Sequence, residues 1–145
     1  MRTFKFRGRR LDNGEWTFGL YLSDTSRGKK RHFIVPEKID SKATRFYVNP
    51  DTVTEYTGIN AQDGAEIYEG DVIQIEGENE TYVVVFYEGA YGLARIEDYI
   101  CLQRGEHPFL NDYARLRNLG DFENAGLVQV IGDVHTIGTG TIALP

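Results

Sequence analysis

The chain has 145 residues, 41% of them hydrophobic, and one cysteine, so it can bury a core without staples and excludes an internal disulfide framework. No apolar run approaches the roughly 20 residues of a membrane helix, and the basic start (Arg2, Lys5, Arg7, Arg9, Arg10) has no apolar signal core behind it, so the expected compartment is a reducing cytoplasm. The net charge of −6 divides into +7 over residues 1–45 (twelve Lys and Arg against five Asp and Glu) and −13 over residues 46–145 (four against seventeen).

Phe4-Lys5-Phe6-Arg7 alternates apolar and basic residues, the period-two mark of a half-buried strand. Asn13-Gly14 offers a turn, and Trp16 to Leu22 returns as the partner strand, with Phe4, Phe6, Trp16 and Phe18 as cross-strand or core contacts. The arginine-rich piece Gly8 to Leu11 is expected to be solvated. Ser23 to Arg31 is a polar, basic loop without the helix or spacing of a phosphate-binding P-loop. His32 to Val35 is a short strand stopped by Pro36, and Arg45 to Val48 is extended and leads into the Asn49-Pro50 turn.

Asp51 to Ile73 is the most informative stretch. Gly58, Gly64 and Gly70 divide it into brief apolar pieces too short for helices, and Asp63-Gly64 is a hairpin-type turn. Gly70-Asp71 launches a strand over Val72 to Glu76. Thr81 to Tyr87 is apolar on both faces, as a central strand is, and Tyr91 to Ile96 follows it. The one helix is predicted over 107–119, where Phe109, Leu110, Tyr113 and Leu116 line one face. Leu127 to Ile131 is the last strong strand, followed by a Gly132-Asp133 turn. These elements predict a mainly β, β-rich α+β fold: a small strongly bent sheet or SH3-like barrel, with an N-terminal β-hairpin region and that single helix. The charge division matches a basic β region over 1–50 and an acidic barrel-like region over 51–145, packed as one compact unit.

The pieces TEYTG, DG and EIYEGDVI of the central stretch resemble the signature of the YopX family. The opening MRTFKFRGRRLDNGEWTFG, a basic run with an Asn-Gly turn and a Trp, is similar to that family's opening. Near the C-terminus VQVIGDVHTIG is similar to its closing motif, with Asp133 where the family usually has Asn and Thr136-Ile137 where it has Glu-Asn. Residues 97–126 carry none of the resemblance. It implies a small protein of a bacteriophage or prophage, working in the bacterial cytoplasm, and it assigns no activity.

Catalytic chemistry is not spelled out by the residues. His32, His107 and His135 have no ligand spacing, and one cysteine cannot form a thiolate cluster, so neither metal nor cofactor is expected. Cys101, between Ile100 and Leu102, reads as an inert thiol. Glu66, Glu69 and Asp71, with Asp63 near, could serve a carboxylate-dependent hydrolase; the competing reading has Asp63 and Asp71 accepting backbone N–H bonds within their own turns. The expectation is a noncatalytic module that binds a protein partner or itself. A second reading is a nucleic-acid-binding accessory protein whose surface is built from Arg7, Arg9, Arg10, Lys29, Lys30 and Arg31, with aromatics such as Tyr21 or Tyr91 as stacking platforms.

Overall fold

Strands β1 (Phe6–Arg9) and β2 (Trp16–Asp24) pair antiparallel, with Phe6 opposite Gly19 and Arg9 opposite Trp16. In this computed structural model the described residues are 4–26, 28–37, 45–109, 116–122 and 128–137. The hairpin closes where the sequence requires it: Gly14 has φ +73°, its N–H donates to the Arg10 carbonyl at 2.9 Å, and Asn13 Oδ1 accepts from Glu15 N. By contact, the chain forms two units, Met1–Tyr56 and Thr57–Pro145.

In unit 1, β2 pairs on its other side with β3 (Arg31–Pro36), and β3 with the two-residue β4 (Phe46–Tyr47). β5 (Thr54–Asn60) begins in unit 1, where Thr54 and Glu55 lie opposite Arg7 and Phe6 of β1. Ile34 and Val48 are fully buried, and Gly8 lies over both: a Cβ there would come within 3.1 Å of Val48 and 3.2 Å of Ile34. Asn49 caps a short 3-10 turn, Pro50–Thr52, by accepting from Asp51 N, and Thr52 Oγ1 accepts from Arg9 N at 2.8 Å. The turn thus ties β1 to the segment that follows β4.

In unit 2, β5 turns through Asp63-Gly64 into β6 (Glu66–Tyr68), and Gly70, with φ +86°, leads into β7 (Asp71–Ile75). β8 (Thr81–Tyr87) and β9 (Ala90–Arg95) continue an antiparallel sheet, which β10 (Arg117–Asn118) and β11 (Val128–Asp133) complete in the order β10-β9-β8-β7-β11. β8 is central, as its two apolar faces predict. Tyr82 and Val84 join Ile67, Ile73, Ile75 and Leu93 on one side; Val83 and Val85 join Val72, Ala94 and Phe109 on the other. Each such fully buried side chain contributes roughly 1.5–3 kcal/mol relative to exposure.

The fold is mainly β with two antiparallel sheets, as expected, but neither is closed into a barrel. The five-stranded sheet keeps β10 and β11 as separate edges, because the chain leaves it after β9 to form α1 (Ile96–Gln103).

That helix is also the main correction to the sequence reading. Of the predicted span 107–119, residues 107–109 form coil and turn, and 116–119 form a bend, β10 and the start of a 3-10 turn; residues 110–115 lie outside the described set. Ile96, Tyr99 and Leu102, spaced three apart, set α1 against the second core cluster. Glu97 and Asp98 sit in its first turn, where carboxylates meet the positive end of the dipole. Two smaller differences concern glycines. Gly58 lies inside β5 with φ +85° rather than at a turn. Gly132-Asp133 ends β11 past a register shift, and the one-turn helix α2 (Val134–Ile137) follows, with Asp133 Oδ1 accepting from His135 N.

Candidate functional site

The six cations singled out in the sequence separate into two groups. Arg7, Arg9 and Arg10 are engaged within unit 1. Arg7 is only 7% exposed; its Nε donates to Thr54 Oγ1 at 3.2 Å and its guanidinium lies 4.4 Å from the centre of the Trp16 ring. Arg9 sits at the same distance from that ring and donates to the Gly14 carbonyl. Arg10 pairs with both oxygens of Asp12, at 2.9 and 2.6 Å, and lies 4.0 Å from the Phe46 ring centre. These contacts follow from register: Arg9 is opposite Trp16. The expectation that Gly8 to Leu11 is solvated is therefore corrected for its two arginines, Arg9 over the Trp16 ring and Arg10 over the Phe46 ring, while Leu11 is exposed.

Lys29, Lys30 and Arg31 instead line one cavity of about 760 Å³, with Asp12 and His32 also in its wall. A fourth cation, Arg45, joins them, with Phe46 and Tyr47 beside it. A smaller hollow of about 160 Å³ shares Lys29, Arg31, Arg45 and Tyr47 and adds Asp24 and Ser26. Two strands make this arrangement. β3 begins at Arg31, so the basic loop ends on a fixed backbone, and the pairing of Phe33 with Tyr47 brings residues 45–48 alongside.

The aromatic groups there are held by their neighbours. Tyr47 is 38% exposed, packs edge-on against Phe33 at 6.1 Å, and has the Arg31 guanidinium 5.4 Å from its ring centre. Arg45 covers Phe33 at 4.5 Å. A hydrogen bond from Arg31 holds the Tyr47 phenol below its usual pKa, with the charges of Arg31 and Arg45 adding to the effect. Asp24 is held below the usual carboxylate range first by the Ser26 backbone N–H, at 2.7 Å, and then by Ser26's side chain, with Arg45 and Arg31 adding less. Asp12 is likewise lowered, chiefly by its hydrogen bond with Arg10. Both carboxylates near the cavity thus remain ionised, and Asp12 is already matched by Arg10. Among the described residues Lys29 and Lys30 make no hydrogen bond or ion pair with the protein.

Tyr21, named as a stacking platform, is half-buried instead: its hydroxyl bonds His32 Nδ1 and its ring stacks on the imidazole. Tyr91, in unit 2, packs edge-on against Phe86 at 5.0 Å.

Asp63 and Asp71 of the central stretch serve their own backbone. Asp63 Oδ1 accepts from Ala65 N at 3.0 Å, and Asp71, 1% exposed, accepts from Tyr68 N at 2.8 Å. Glu66 Oε1 accepts from the Tyr68 hydroxyl. Among the described residues no three His, Cys, Asp or Glu side chains are grouped to hold a metal ion. The Cys101 thiol is pushed up by its hydrogen bond with Glu106, which leaves less of the nucleophilic thiolate. A separate polar group ties the edge of the unit 2 sheet: Arg117 Nη1 donates to both oxygens of Glu78, at 2.6 and 2.8 Å, and to the Tyr82 hydroxyl at 3.1 Å. No helix among the described residues is long and apolar enough to cross a membrane.

The sequence reading missed Arg45, which stands fourteen residues beyond Arg31. The available signal was the extended piece Arg45 to Val48; its pairing partner across the intervening loop was not written in it.

The model of the YopX protein family matches residues 5–136. Among solved structures, the chain is similar to protein EF1440 from Enterococcus faecalis, in a crystal structure, at 15% identity and a TM-score of 0.46, covering 96% of this chain and 98% of that one. Among curated proteins none matches.

Proposed function

The chain belongs to the YopX family, and we propose that it is a noncatalytic binding protein of a bacteriophage or prophage that captures an anionic partner through the basic cavity of unit 1, in the cytoplasm of its bacterial host. The observation that supports this reading is the separation of the cations. Arg7, Arg9 and Arg10 have protein partners, whereas Lys29 and Lys30 face a cavity that already holds Arg31 and Arg45. With Asp12 matched by Arg10, the four cations outnumber the one other carboxylate beside them, Asp24, so an entering anion relieves their repulsion and the same excess charge steers it inward. The volume falls within the range of ligand sites.

Calorimetry with inorganic tripolyphosphate tests it. The double variant Lys29→Ala/Lys30→Ala is expected to weaken binding at least tenfold, equivalent to about 1.4 kcal/mol. Arg9→Gln, outside the cavity, is expected to change it less than twofold. Equal losses from the two variants, or no heat of binding at all, would rule out the cavity as the binding site.

Self-association is a second reading, supported by the charges of the two units. Residues 1–56 carry twelve Lys and Arg against seven Asp and Glu, a net +5; residues 57–145 carry four against fifteen, a net −11. Phe18, Leu20 and Leu22 also form an exposed apolar stripe along β2. Charge-driven assembly weakens with salt, so light scattering is expected to give a dimer mass at low ionic strength and a monomer at high. A monomer throughout would contradict it.

A further inference from the structure

We infer that the anion this cavity takes is single-stranded nucleic acid, with phosphates on Lys29, Lys30, Arg31 and Arg45 and an unstacked base on Tyr47. The inference rests on the anion-binding reading above and names its ligand.

Three observations carry it beyond a general preference for anions. The first is charge count: even with Asp24 offsetting one of them, the four cations exceed what one phosphate monoester of charge near −2 needs, and suit successive diester phosphates of one charge each. The second is the ring. Tyr47 is fixed by the pairing of β4 with β3 and by edge contact with Phe33, yet the residue is more than a third exposed and lines the cavity. A fixed, part-exposed aromatic beside free lysines is the combination that single strands use, since bases stack on the ring while cations track the backbone. The third is shape. A ring set in a concave wall reaches only a base that has left its stack.

The chain's overall negative charge does not oppose this. With screening over about 8 Å at physiological salt, the charges lining the cavity govern the contact more than the chain total does.

The test is fluorescence anisotropy of the full chain with a labelled 12-nucleotide single strand, a duplex of the same sequence, and unlabelled tripolyphosphate as competitor. The expected slope of log K against log salt is about −3 for four phosphate contacts on a single strand. The duplex is expected to bind at least tenfold more weakly. Tyr47→Leu is expected to lose about 5–150-fold at constant salt with the slope unchanged, since one stacked base contributes that much. Lys29→Ala/Lys30→Ala is expected to flatten the slope by about 1.4. Should Tyr47→Leu fail to fold, as circular dichroism would report, Tyr47→Trp serves in its place: it keeps the ring and is expected to retain binding and the preference for single strands. Equal affinity for duplex and single strand, or a folded Tyr47→Leu that binds as the parent does, overturns the inference. If the strand does not bind while tripolyphosphate does, the nucleic-acid assignment alone fails; if neither binds, the anion site fails with it.

Discussion

Gly19→Ala is expected to destabilise unit 1 by roughly 2–5 kcal/mol, the sum of backbone strain at a glycine-only conformation and overpacking against a neighbouring strand. Gly19 sits in the middle of β2 with φ +154°, opposite Phe6 on one side and Pro36 on the other. A Cβ built there falls 2.0 Å from the Val35 carbonyl oxygen and 2.9 Å from its carbon. Those atoms are backbone, so no side chain can turn aside, and β3 must move. Because β3 carries Arg31 and orders β4, the same substitution is expected to abolish tripolyphosphate binding. Thermal melting by circular dichroism, with a drop of roughly 4–20 °C at about 2–4 °C per kcal/mol, is the check. A variant that melts with the parent and binds as well would mean that β2 and β3 do not come together closely at Gly19.

Phe109→Ala is expected to cost unit 2 about 3–5 kcal/mol, the usual loss for an aromatic removed from a packed core. The Phe109 ring is fully buried, meets Tyr87 edge-on at 5.3 Å, and belongs to the cluster with Val72, Val83, Val85 and Ala94. Partly buried Ile96, Tyr99 and Leu102 pack on the same cluster, so the void opens beneath α1. Hydrogen exchange is the suitable readout, since a chain of two units need not melt in one step. Amides of α1 and β8 are expected to lose protection while those of β2 and β3 keep theirs. Unchanged exchange in α1 would contradict its packing over Phe109.

The Phe109 result also bears on what the sequence made legible. Of the four apolar residues expected to line one face over 107–119, Phe109 is fully buried and Leu116 packs against the same cluster, while Leu110 and Tyr113 lie outside the described residues. At the end of that span Arg117 and Asn118 pair with Leu93 and Gly92 as strand β10 instead of continuing a helix. Tertiary pairing overrode local period, as it readily does for short segments. α1 was hidden for the opposite reason. It begins one residue after β9 ends, with no glycine, proline or capping side chain at Arg95 to mark the change. The β half was legible because its signals agree: Gly64 and Gly70 take the positive φ their turns need, and β8 is apolar on both faces and lies at the centre of its sheet.

The lining of the candidate cavity was legible by half. A run of charge in a loop is visible in any sequence, and Lys29 to Arg31 stand out that way. What a cation touches depends on register. Arg7 and Arg9 could not be set apart from the lysines until β1 was laid against β2 and both were placed beside Trp16. Arg45 entered only through the pairing of Phe33 with Tyr47, which spans a loop whose length says nothing about where it returns.

The decisive measurement is an NMR titration of the full chain with inorganic tripolyphosphate, following backbone amides residue by residue. A basic cavity in unit 1 predicts that the shifted amides cluster at Lys29 to His32 and Arg45 to Val48, with Arg7, Arg9 and the whole of unit 2 unmoved. Shifts spread evenly over the basic residues, or centred on the Trp16 face of β1 and β2, would contradict it.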